Sequence, residues 1–175
     1  MFKQIECVLV GLFMFCVVTT AYVSATEEPP SPIARRTKAI VKEAIAYVHA
    51  HSDDLSDVQK AFQNDSRFID RDKGLHIFAH FYDAAKKEAI CFGQGMRPKL
   101  VGKNMWHLRT PNGRLIVQEI VTMIERDGKG WMEYYWLNPY TKKLQIKISY
   151  LEGIVMKDGR KGWVGCGFWK EYRDR

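Results

Sequence analysis

His76 and His80 stand four residues apart, the spacing at which two imidazoles on one helix face can share a divalent metal. The residues around them forbid that arrangement. Leu75, Ile77, Ala79 and Phe81 alternate with His76, Phe78, His80 and Tyr82, and a period of two makes the segment a strand. On a strand the two rings share a face but lie roughly 13 Å apart, too far for a common ion. His49 and His51 fall on different sides of a helix, so no metal site is expected there either. Nucleophilic chemistry has no more support: the chain lacks a Gly-x-Ser-x-Gly elbow, and no cysteine stands beside a base in sequence. Gly93-Gln94-Gly95 is too short for a phosphate loop and does not open a helix. Neither catalysis nor a cofactor is expected.

What the spacing does assemble is a face of mixed chemistry. Phe78, His80 and Tyr82 lie on one side of their strand, and Lys147 and Ser149 alternate with the apolar Leu144, Ile146, Ile148 and Tyr150 in another. Tyr134 and Trp136 share a face of residues 131–137. Aromatic walls with one ammonium and a few hydrogen-bonding groups suit a small anion, which Lys147 would meet with a charge-assisted bond. His80, Tyr82 and Ser149 would supply hydrogen bonds, and Phe78, Trp106, Tyr134 and Trp136 the walls. A solvated sheet face is the plain alternative for any one of them. Residues 93–112 form a connection of about 20 residues with Gly, Pro and charge, and loops of that length commonly cover a site, which favours a pocket.

The elements that must position these residues follow from the periods. Ile33, Thr37, Ile40, Val41, Ala44, Ile45 and Val48 recur at three- and four-residue steps, an amphipathic helix over 33–49. His51-Ser52-Asp53-Asp54 offers caps for a shorter second helix carrying Leu55, Val58 and Phe62, and 64–74 reads as turn. Strands are expected at 75–82, 88–92, 131–137, 144–151 and 163–169, with a helix at 113–127 that Thr110-Pro111 would cap. Segregated helices and hairpin-linked strands make an α+β domain with a largely antiparallel sheet. Its clean hydrocarbon face should take the stripe of the long helix and leave the mixed face for the loop.

Residues 8–21 are a run of apolar side chains behind Lys3, and Val23-Ser24-Ala25 suits signal peptidase, so residues 1–25 read as a signal peptide. An uncleaved anchor of about 17 residues is the alternative, and a membrane association only in that case. Residues 26–32 are polar and Pro-rich, an unstructured lead-in. Residues 33–175 then form one domain, and a periplasmic or secreted location is expected. Of four cysteines, Cys91 and Cys166 survive cleavage. An oxidising compartment permits a bridge, but strands that are not neighbours stand too far apart for one, and two buried thiols are the plainer expectation.

The 175 residues carry 27 Lys and Arg against 20 Asp and Glu, a net charge of +7. The excess is uneven: residues 35–85 balance and 115–141 sum to −2, while 86–114 sum to +6 and 142–175 to +5. The basic segments are the covering loop and the last strands. In the arrangement implied by the family that the motifs below resemble, these can border the pocket, and the charge then reads as a field around a small-anion site better than as a nucleic-acid surface. General surface basicity is the alternative.

Phe81-Tyr82-Asp83 turning into residues 88–93 begins a series of short motifs in order. Leu100-Val101-Gly102-Lys103-Asn104, Pro111-Asn112-Gly113, Gly130-Trp131 with Tyr134 and Trp136, Asn138-Pro139, Lys147-Ile148-Ser149-Tyr150 and Gly162-Trp163-Val164-Gly165-Cys166-Gly167 complete it. Over about residues 33–175 the series resembles a single Cache domain, the extracytoplasmic sensor module of chemotaxis receptors and histidine kinases, which also occurs as a stand-alone exported protein. The resemblance implies a PAS-like five-stranded antiparallel sheet, a long N-terminal helix on one face and a small-molecule pocket under loops on the other. It implies small carboxylates, amino acids or similar metabolites as ligands, and a membrane receptor or other signalling protein as the partner that reads out binding. Lys147 matches the family's fourth-strand lysine, and Tyr134 and Trp136 its third-strand aromatic pair. Thr110 stands where the family usually has Asp, and His76 where Tyr is common, which leaves the ligand open. No membrane helix or signalling module follows the last strand, so signalling is expected to need a partner. A basic interaction protein that holds a polyanion or a partner protein, with no small ligand, is the competing function.

Overall fold

The computed structural model describes residue 27 and residues 29–172; the expected signal peptide lies outside them. Helix α1 (Pro32–Ala50) starts where Ser31, itself buried, accepts a hydrogen bond from the Ala34 amide at 3.2 Å, and Pro32 occupies a first-turn position that needs no amide donor. Its buried stripe is the one the three- and four-residue spacing predicts, from Ile33 to Val48. Thr37 is tolerated inside it because its hydroxyl donates to the Ile33 carbonyl at 2.7 Å. Helix α2 (Leu55–Asn64) is capped by Asp54, whose carboxylate accepts from the amides of Ser56 and Asp57, and buries Val58 and Phe62.

Among the described residues six strands form one antiparallel sheet: β1 (Ile69–Asp70), β2 (Leu75–Asp83), β3 (Glu88–Gln94), β4 (Lys129–Leu137), β5 (Leu144–Val155) and β6 (Lys161–Trp169). The last strand runs between the first long one and the fourth, giving the order β2-β6-β5-β4, with β1 and β3 both on the outer edge of β2. The two-residue β1 lies in the segment expected to be turn. It is too short to show any alternation, and its only pairings are Ile69 with His76 and Asp70 with Leu75.

Each face carries its own core. Leu75, Ile77, Ala79, Phe81, Ile148, Tyr150, Val164, Cys166 and Phe168 pack with α1 and α2 on one side. On the other, helix α3 (Ile116–Asp127) packs its Ile120, Val121, Met123 and Ile124 on Met132, Leu151 and Trp163. The helix starts three residues later than the sequence suggested, and Thr110 does not cap it. Thr110 instead closes a turn: its carbonyl accepts from Gly113, whose φ of +87° reverses the chain, and its hydroxyl accepts from the Arg114 amide. No side chain caps α3; Arg114 fastens its start by bonding the Glu119 carboxylate and the Glu133 carbonyl on β4.

Cys91 on β3 and Cys166 on β6 are both free and buried, separated by the intervening β2. Among the described residues no helix is long and apolar enough to cross a membrane.

Candidate functional site

The central strand β6 turns Trp163, Gly165, Gly167 and Trp169 toward α3, so two indoles stand at the ends of a floor that has no side chains between them. The bare floor has a purpose that the neighbouring strands reveal. A methyl group at Gly165 would lie 2.9 Å from the Phe78 ring, and one at Gly167 would lie 3.0 Å from Cε of Lys147. The glycines therefore let Phe78, from β2, and the alkyl stem of Lys147, from β5, lie flat across the sheet. Lys147 Nζ ends 5.0 Å from the centre of the Phe78 ring and 5.8 Å from that of Trp169.

Above this floor is a cavity of about 210 Å³. His76, Phe78 and His80 of β2 wall one side, and Tyr134 and Trp136 of β4 the other. Ile116, Val117 and Ile120 of α3 roof it, together with Met96, Arg97, Leu100, Met105 and Leu108 from the connection between β3 and α3. That connection is held along the β3 edge by backbone bonds from Cys91 to Lys103 and from Met105 to Ala89, and by the Asn104 side chain, which accepts from the amides of Ala89 and Trp106. The roof is thus part loop and part helix.

Charge in the cavity is one-signed. Lys147 is 5% exposed and, among the described residues, has no hydrogen bond or ion pair; its contacts are the two aromatic faces. Desolvation, reinforced by the Arg97 charge, lowers its pKa to about 8, so it is still mostly protonated at pH 7. Arg97 is exposed, and no Asp or Glu contributes to the wall. The two histidines are neutral. Burial alone lowers His80 to about 3; desolvation first and Lys147 second push His76 well below the ordinary histidine range, while its Nδ1 lies 3.2 Å from the Gly74 carbonyl oxygen. His80 stacks on Trp163 at 4.3 Å between ring centres, and His80 Nδ1 and Trp163 Nε1 are both buried without a hydrogen-bond partner. Tyr134, raised to about 12 by burial, shares a hydrogen bond of 3.0 Å with the buried Ser149 hydroxyl and sets its ring edge-on to Trp136.

Of the residues singled out from sequence, Phe78, His80, Tyr134, Trp136 and Lys147 meet at the cavity. Ser149 does not reach the wall; it lies behind Tyr134 and holds the phenol. Trp106 packs into the core under α3, its carbonyl accepting from Gln118. Tyr82 belongs to a different depression with Asp83, Lys86, Glu125 and Arg160, because β2 runs on past the cavity and alternation assigns a face but no end point. Trp163 and Trp169 are wall residues beyond those expected from sequence, and the alternation Trp-x-Gly-x-Gly-x-Trp in β6 is the signal that marks a strand face with an empty middle. The α3 and Arg97 contributions have no comparable signal, since they depend on how the connection folds back.

Among the described residues the cavity histidines bond no serine, threonine, cysteine or carboxylate side chain, and no three His, Cys, Asp or Glu side chains group as metal ligands. The arrangement can bind and desolvate an anion; it does not assemble a nucleophile with a base.

Comparison with known proteins agrees with this geometry. The structure is similar to a periplasmic sensor domain of a chemotaxis protein, with a TM-score of 0.57 and 21% identity over 79% of this chain and 98% of that one. It is similar to a Cache chemosensory domain described for its carboxylic acid recognition, with a TM-score of 0.59 and 16% identity over 79% of this chain and 93% of that one. A methyl-accepting chemotaxis protein from Vibrio parahaemolyticus is a third neighbour, with a TM-score of 0.53 and 18% identity over 77% of this chain and 86% of that one. At these identities the likeness speaks for the fold. No match is found among curated proteins. The family model Single Cache domain 2 matches residues 35–164, well over half of the chain: the chain belongs to the single Cache domain 2 family.

Proposed function

We propose that this protein is an exported sensor domain whose cavity binds a small carboxylate that carries no ammonium group. The observation that carries the reading is Lys147: a buried ammonium that has no acidic partner among the described residues, in a wall to which no described Asp or Glu contributes. An uncompensated buried charge costs several kcal/mol, and a carboxylate that enters beside it is itself stripped of water but gains a charge-assisted bond. An amino acid or amine would place a second ammonium in the same space with nothing to neutralise it. Size agrees. An apolar cavity of roughly 150 Å³ accepts a benzene, so this one suits a metabolite of about six to ten heavy atoms. Similarity of fold to a domain described for carboxylic acid recognition supports the same class.

A membrane receptor or another signalling protein would read out binding from outside the cytoplasm. The test is a melting screen of the exported protein against small carboxylates, amino acids and amines at millimolar levels. Carboxylates without an ammonium should raise the melting temperature, amines and amino acids should not, and Lys147→Ala should remove the effect. Absence of any stabilising carboxylate, or stabilisation that survives Lys147→Ala, would refute the reading.

A further inference from the structure

Apolar alternation on the α1 face of the sheet runs on past the helix that covers it. Along β4 that face passes from the buried Trp131 to Tyr135 and Leu137, which are 43% and 46% exposed. Along β5 it passes from the buried Ile148 to Leu144, 52% exposed. Helix α1 packs chiefly on β6, β5 and β2, which leaves this end of the β4–β5 hairpin without a cover. Leu137 and Leu144 are cross-strand partners at its last rung, and the half-exposed Tyr140 stands in the turn beyond them. Four of the five large apolar side chains exposed among the described residues are thus in one hairpin. Single surface leucines need no explanation, but a paired and continuous group does.

Basic side chains surround the group. Lys142 and Lys143 are in the same turn. Arg71 is in the turn whose Gly74 packs beside Tyr140, and Arg97 follows Met96, whose sulfur accepts from the Tyr140 hydroxyl at 3.5 Å. All four cations are exposed, and none forms an ion pair with another described residue. Lys73 and Lys170 are neutralised by Asp70 and Glu133, and the acids Asp72 and Glu171 stand among the rest, so the balance at this end is positive. The exposed apolar area amounts to a few hundred Å². Each partner in a stable protein complex buries about 800 Å², so a second copy or a protein partner fits poorly. A bilayer interface fits both features: leucines enter the acyl boundary, phenols sit at headgroup level, and cations meet the phosphates. We propose that this end of the sheet, made by the β4–β5 hairpin and the turns beside it, docks the exported protein on an anionic phospholipid surface. Docking needs no uncleaved anchor and rests on none of the cavity's chemistry.

Sedimentation of the exported protein with vesicles of phosphatidylcholine alone, or with about 30% phosphatidylglycerol, tests this. At about 0.05 M salt the anionic vesicles should bind at least about tenfold more tightly than the neutral ones, and at about 0.5 M the preference should shrink to within about twofold. One basic residue at a charged surface is worth about fivefold, so Lys142→Asn with Lys143→Gln should weaken binding on the order of tenfold or more. Asn suits position 142 because its φ is +57°. Leu137→Ser with Leu144→Ser should weaken binding about as much. Lys157→Ala with Lys161→Ala removes the same charge at the opposite end of the sheet and should leave affinity within about twofold of wild type. The lipid comparison and the two lysine pairs decide the matter even if the serine variant fails to fold. Equal binding to neutral and anionic vesicles, as an anchor alone would give, would overturn the proposal, as would no binding to either. Equal losses from the two lysine pairs would also overturn it, and so would a dimer in solution that the serine variant dissociates.

Discussion

Lys147 is the residue on which function and stability pull in opposite directions. Its pKa falls from about 10.5 in an unfolded chain to about 8 in the folded protein, so between those values the unfolded state holds the extra proton and stability rises with pH. Below about 8 both states are protonated and the folded state carries the full penalty, about 3 kcal/mol for a shift of this size. Lys147→Met keeps the length of the stem and removes the charge. Without ligand it should be the more stable protein at pH 7, by roughly 1–3 kcal/mol, and the difference should shrink as pH rises from 8 toward 10.5. Chemical denaturation of both proteins across that range checks this; a Lys147→Met variant less stable than wild type at pH 7 would contradict it. This residue was legible in the sequence because strict alternation with Leu144, Ile146, Ile148 and Tyr150 left it on the opposite face. Its lack of an acidic partner among the described residues was not legible, because that depends on what α3 and the connection bring to the wall.

At the scale of elements, the cavity exists because the middle strand lacks side chains where its neighbours need room. At Gly167 a methyl group would meet the Ser149 hydroxyl, lie 2.7 Å from the Ile148 carbonyl and press on the Lys147 stem. Gly167→Ala should therefore cost about 1–3 kcal/mol or more of stability. Because Lys147 is displaced with it, carboxylate affinity should fall at temperatures where the variant is still folded. Ligand titration with circular dichroism of the same sample checks this, and an unchanged affinity would contradict it. The strands, the long helix and its stripe could be read from period alone, since each is a local pattern of burial. Three things could not. The two-residue β1 has no period, the Thr110 hydroxyl serves a turn that Gly113 makes, and the position of β6 between β2 and β5 is a long-range pairing. Tyr82 shows the same limit from the other side, being on the expected face but beyond the end of the cavity.

For the whole molecule, the net charge of +7 proves less focused than its distribution along the chain suggested. Among the described residues only Lys147 and Arg97 bring cationic charge to the wall, and basic residues such as Lys86, Lys87, Lys103 and Lys161 are exposed elsewhere. A buried ion contact is screened far less than surface charge, so carboxylate affinity should change by no more than about threefold between 0.05 and 0.5 M salt. Binding to a polyanion through the surface would weaken steeply over the same range, and that behaviour in place of a salt-tolerant small ligand would favour the competing interaction-protein reading. The most direct test is the titration of the Lys147 amine itself, followed by NMR through its side-chain Cε and Nζ signals, with and without a saturating carboxylate found in the melting screen. The account predicts a pKa near 8 in the free protein that rises by at least one unit when the carboxylate binds, because the anion stabilises the ammonium it faces. A carboxylate that binds and leaves the Lys147 pKa where it was would contradict it.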